Sequence, residues 1–117
     1  LLASDLVARG RRVIRIDLPG AGPSYELTWL PPHAGCHPQV AEVMVWCEKN
    51  LAISSWDAVG FSLGGNILLN LLTSADESCR QVRSRIRSSL AVGPPIDLGR
   101  CCDGMERGVN RIYQAYF

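Results

Sequence analysis

An α/β fold, with a parallel sheet and helices on both of its faces, is what this sequence predicts, on three observations. Strand-like and helix-like segments alternate strictly along the chain. Gly60-Phe61-Ser62-Leu63-Gly64 marks a sharp turn between a predicted strand and a predicted buried helix. Hydrophobic residues make up 47% of the 117 positions, which suits a globular core and not a disordered chain. Strict alternation places successive strands parallel, joined by right-handed helical crossovers.

Each element has its own local cause. Leu2, Leu6 and Val7 recur at helical spacing, and Gly10 stands where a helix C-cap belongs, so residues 1–8 read as the end of a helix. Arg12 to Leu18 (RVIRIDL) is β-branched and reads as a strand. Pro19, Gly20, Gly22 and Pro23 then force a loop, which Pro31, Pro32 and Pro38 extend. Gln39 to Asn50 reads as a helix, with Val40, Val43, Met44 and Cys47 on one face. Trp56 to Phe61 is a short strand. From Gly64 or Gly65 to Thr73 the chain is helical and apolar on most sides, hence buried. Ser88 to Val92 is another apolar strand, closed by Gly93-Pro94-Pro95. From Asp97 onward, Leu98, Cys102, Met105, Val109, Ile112 and Tyr116 follow a helical spacing that Gly104 and Gly108 interrupt.

Charge and cysteine usage exclude several classes. Twelve Lys+Arg against 11 Asp+Glu leave a net charge of +1, which argues against a nucleic-acid or membrane-surface binder. The longest strongly apolar run, Ile67 to Leu72, is far short of the roughly 20 residues of a membrane span. Five cysteines, an odd number with no C-x-x-C pair, suggest free thiols in a reducing, cytoplasmic setting. His33-Ala34-Gly35-Cys36-His37 clusters three potential ligands, yet no second ligand pair follows at a matching spacing. No metal or other cofactor is therefore expected. Arg80, Arg83, Arg85 and Arg87 lack interleaved aromatics and read as a solvated helix end or loop.

The chemistry resides in the G-x-S-x-G pentapeptide. A serine on a tight strand-to-helix turn projects its hydroxyl clear of the backbone, the arrangement of a nucleophile elbow. Gly60 and Gly64 are expected to flank Ser62 because a Cβ there would strike a neighbouring element. The Leu63 N–H is expected to face a developing oxyanion at the start of the following helix. Neither competing glycine motif fits. No Lys completes a P-loop, and Tyr25 occupies the third glycine position of a dinucleotide fingerprint begun at Gly20 and Gly22.

These residues resemble the α/β-hydrolase fold, and within it the YheT-like branch of esterases. Val59-Gly60-Phe61-Ser62-Leu63-Gly64-Gly65-Asn66 resembles that branch's elbow. Asp17 to Gly22 resembles its D-x-R-G-x-G element, with Pro19 in place of Arg. His33-Ala34-Gly35 resembles its Y-H-[SA]-G, with Pro32 in place of Tyr. Pro94 to Leu98 resembles the P-x-D-L after the next strand. Glu106-Arg107 with Asn110-Arg111-Ile112-Tyr113 resembles the segment entering the cap. The resemblance implies the central part of one hydrolase domain over residues 1–117, with 98–117 beginning a cap or lid. It implies a serine hydrolase acting on carboxylic esters, of short or medium acyl chains or of acylglycerols, and so a place in lipid metabolism.

In this fold the chain order is Ser, then Asp or Glu, then His. Both histidines, His33 and His37, precede Ser62. The triad acid and base, and the second oxyanion donor, are thus expected outside these 117 residues, and the piece alone is expected to be inactive. Asp97 matches the branch's P-x-D-L, which is not the triad acid, and His33 as base would break the triad order. The alternative is a catalytically silent hydrolase-fold module that binds a ligand or a partner.

Overall fold

The computed structural model describes residues 2–29 and 31–105. Helix α1 (Leu2–Ala8) ends at Gly10, whose φ of +76° is a left-handed cap that glycine adopts without a Cβ penalty. Helix α2 (His37–Asn50) and strand β1 (Trp56–Phe61) follow. Helix α3 (Leu63–Thr73) begins directly after the elbow serine. Helix α4 (Glu77–Arg83), strand β2 (Ile86–Val92) and helix α5 (Leu98–Met105) complete the order. Two short 3-10 turns, Gly22–Leu27 and Ala34–Cys36, give the long Pro-rich loop its shape.

The two strands pair in parallel, with Val59 opposite Leu90, Gly60 opposite Ala91 and Phe61 opposite Val92. Parallel pairing requires a crossover, and α3 and α4 supply it. Along β1 the side chains alternate: Trp56, Ala58 and Gly60 are covered, while Asp57, Val59 and Phe61 are exposed. Helix α3 packs against both strands, and α2 and α4 pack against α3 and each other.

The core gathers Ala41 and Met44 of α2, Leu71 of α3, and Cys79 and Val82 of α4. Ile16, Val40, Val45, Trp56 and Ile86 border it. Beside this core lies a buried carboxylate. Glu48 accepts a hydrogen bond from Trp56 Nε1 at 2.9 Å and faces Arg85 at 3.1 Å. It therefore fastens α2 to the first residue of β1 and to the turn entering β2. A carboxylate left there without its partners would be strongly destabilising.

Two expectations change. Residues 12–18 do not form a strand; the segment has no strand partner among the described residues. Its β-branched residues favour extended backbone, but a strand exists only as part of a ladder. Ile16 still packs onto the core. The stretch around Arg80 is not merely a solvated end: it is α4, and it carries two fully buried core residues, Cys79 and Val82. The run of arginines is consumed in pairing. Arg80 pairs with Glu77, Arg85 with Glu48 and Arg87 with Asp57. Arg83 donates to the Leu72 and Ser74 carbonyls at 2.9 and 3.0 Å, capping the end of α3.

The amphipathic pattern from Asp97 is helical over Leu98–Met105. The expected entrance to a cap at 106–117 lies outside the described residues. Among the described residues, no helix is long and apolar enough to cross a membrane.

Candidate active site

Ser62 sits between the last residue of β1 and the first of α3 with φ 49° and ψ −121°. Positive φ is costly for a residue with a Cβ, of order 1–3 kcal/mol, and persists only where the surroundings enforce it. The enforcement is visible. The Ser62 N–H donates to the Val92 carbonyl at 2.9 Å, which fixes the elbow to the end of β2. The Ser62 carbonyl accepts from the Gly65 and Asn66 N–H groups at 2.9 and 3.2 Å, which starts the helix. The residue itself is exposed.

The glycines divide the steric work differently from the expectation. A Cβ at Gly60 would lie 2.3 Å from the Gly64 carbonyl oxygen and 2.8 Å from Gly65 Cα, so only glycine fits there. A Cβ at Gly64 would meet nothing within 4 Å, and the steric reason expected for that position is corrected. What matters at Gly64 is its backbone, the surface that Gly60 must approach. Gly65 is the second tight position: its Cβ would stand 3.1 Å from the Gly60 carbonyl oxygen and 3.2 Å from Pro94 Cβ. Thus strand, helix and the loop after β2 meet around Gly60 and Gly65.

Leu63 is the first residue of α3, so its N–H belongs to the opening turn that has no acceptor within the helix. Such a group, next to an exposed serine at the positive end of an 11-residue helix, suits a developing negative charge.

A polar chain supports the helix from inside, and the sequence reading did not assign it. Asn66 donates to the Pro95 carbonyl at 2.8 Å and accepts from Asn70 at 2.9 Å. Asn70 also donates to the Ala34 carbonyl at 3.2 Å. Two asparagines one helical turn apart, on a helix otherwise apolar, were the available signal. They tie α3 to the loop after β2 on one side and to the turn at Ala34 on the other.

The other candidates are placed elsewhere. His33 caps the 3-10 turn, its Nδ1 accepting from the Gly35 N–H at 3.1 Å. His37 opens α2 and faces Asp76 at 3.6 Å. Among the described residues, no hydrogen bond joins either histidine to Ser62. Asp97 caps α5, its Oδ1 accepting from the Arg100 N–H at 2.9 Å. A hollow of about 160 Å³ is lined by Asp17, Pro19, Ser24 and Val40, and Ser62 does not line it.

Comparison with known proteins agrees with this geometry. One relative is named "Putative esterase YheT", from Escherichia coli (strain K12). It is 30% identical over 84 residues, which is 72% of this chain and 23% of the relative. The chain thus spans about a quarter of the curated relative it matches. No solved structure matches the chain significantly. Residues 2–101, from α1 into α5 and including the whole elbow, match the family described as alpha/beta hydrolase fold. The chain belongs to the alpha/beta hydrolase fold family.

Proposed function

We propose that Ser62 is the nucleophile of a carboxylic-ester hydrolase. The observation that carries this reading is the strained, exposed serine at the start of α3, in a chain of the alpha/beta hydrolase fold family. Ser62 Oγ bonds to the ester carbonyl carbon while a histidine takes its proton. The carbonyl oxygen becomes an oxyanion beside the Leu63 N–H. The carbon–oxygen bond to the alcohol then breaks, and the histidine returns its proton to the departing alkoxide. Water attacks the resulting acyl-enzyme by the same route and restores the serine.

Neither His33 nor His37 is proposed as that histidine, because both precede Ser62 and the fold's triad order runs serine, acid, histidine. Asp97, which caps α5, is not proposed as the acid. Esters of short or medium acyl chains, or acylglycerols, are the proposed substrates, following the resemblance to the YheT-like branch.

The test is labelling of the full-length protein by a fluorophosphonate, which reacts with activated serines. Labelling of the wild type that disappears in Ser62→Ala is the expected result. Absence of labelling, or equal labelling of Ser62→Ala, overturns the proposal in favour of a silent ligand-binding module. The 117-residue piece by itself is expected to hydrolyse p-nitrophenyl esters no faster than buffer.

A further inference from the structure

We propose that His37, Asp76 and Cys79 form a binding site for a divalent transition-metal ion of the zinc class, bracing α2 against α4. One ring nitrogen of His37, one carboxylate oxygen of Asp76 and the Cys79 sulfur all lie within 4.8 Å of one another. A tetrahedral zinc ion places its ligand atoms about 3.5 Å apart, given bonds of about 2.0–2.3 Å. The His37–Asp76 separation of 3.6 Å already has that value, and small side-chain rotations bring in the sulfur.

Two further observations favour an ion over a simple ion pair. Cys79 is fully buried, and among the described residues its sulfur has only a long 4.0 Å contact to the His37 carbonyl. Asp76 is oriented by Ser74, whose Oγ donates at 2.9 Å to Oδ2, the oxygen that also faces His37, while accepting from the Asp76 N–H at 3.1 Å. Outer contacts of this kind hold metal-binding carboxylates in place.

The donor set defines the ion. One nitrogen, one oxygen and one thiolate sulfur select zinc, cobalt or a similar borderline ion over calcium or magnesium, which take oxygen donors. On binding, the Cys79 thiol releases its proton to solvent, and thiolate plus carboxylate neutralise the doubly charged ion. Asp76 is exposed and His37 partly so, which opens a path from solvent to the sulfur at the floor of the site. Water fills the fourth position.

The site is invisible in the sequence. His37 stands in the His33-to-His37 cluster, but the fold gives it partners some 40 residues away and leaves Cys36 and His33 out.

Titration of the purified full chain with Co²⁺ tests the site. The expected result is a thiolate-to-cobalt charge-transfer band that saturates at one equivalent, is bleached by Zn²⁺ and is absent from Cys79→Ser. Cys36→Ser and Cys47→Ser retain the band. No band, or a band unchanged in Cys79→Ser, overturns the proposal. Should Cys79→Ser fail to fold, Asp76→Asn at its exposed position decides: a loss of Co²⁺ affinity of at least about tenfold supports the site, and unchanged affinity overturns it.

Discussion

Gly60 and Gly64 approach so closely that a Cβ on the first would lie 2.3 Å from the carbonyl oxygen of the second. Backbone meets backbone at this point, so no side-chain rotation relieves the clash. Gly60→Ala is expected to destabilise the protein by about 3 kcal/mol or more, the upper end for overpacking. Gly65→Ala, with contacts at 3.1 and 3.2 Å, falls between. Gly64→Ala, with open space around its Cβ, gains up to about 1 kcal/mol from helix propensity. Chemical denaturation of the three variants checks the order, and a Gly64→Ala as damaging as Gly60→Ala contradicts it.

Asn66 and Asn70 make a second prediction. Asn66→Ala leaves the Pro95 carbonyl without its donor and removes one of the two acceptors of Asn70. Loss of these hydrogen bonds at a buried position should cost about 1–3 kcal/mol. Asn66→Asp should be worse at neutral pH, since a carboxylate oxygen then faces the Pro95 carbonyl. Urea melts of both variants, compared with wild type, supply the measurement; an Asn66→Asp more stable than Asn66→Ala at neutral pH would show that the bond to Pro95 is not what anchors α3.

Acid should act through Asp57 at the start of β1. Its carboxyl is held below the usual value of 3.8, first by the hydrogen bond from Ser88 and then by that from Arg87. The folded state thus favours the ionised form more than the unfolded state does. That contribution is fully present above pH 3.8 and is lost as pH falls through the depressed folded value. The group is exposed, so the effect is small. Asp57→Asn should flatten the pH dependence of stability below pH 4 and leave the neutral region nearly unchanged. Thermal melts of wild type and variant across that range would show parallel curves if the reading is wrong.

Legibility in the sequence followed the range of the interactions. Helix α3 and strand β1 were readable because their patterns are local, and the elbow motif announces its own turn. Helix α4 was harder: its apolar signal is only Cys79 and Val82 among polar residues, and its burial comes from α2, distant in sequence. The segment 12–18 shows the opposite failure. Its composition is that of a strand, yet composition cannot provide a neighbour to bond with. At the site, Ser62 and the clash at Gly60 were written in five residues. The roles of Gly65 and Asn66 depend on Pro94 and Pro95, which only the folded chain brings near.

The bond from Ser62 to Val92 also has a kinetic meaning. A turn of five residues is held in its strained shape by a strand that lies 30 residues further along the chain. Closing that loop precedes the reward for it, so the elbow sets late, once β2 has docked beside β1. Until then the serine relaxes to ordinary backbone angles. A nascent chain therefore acquires the strained elbow only after the sheet around it has assembled.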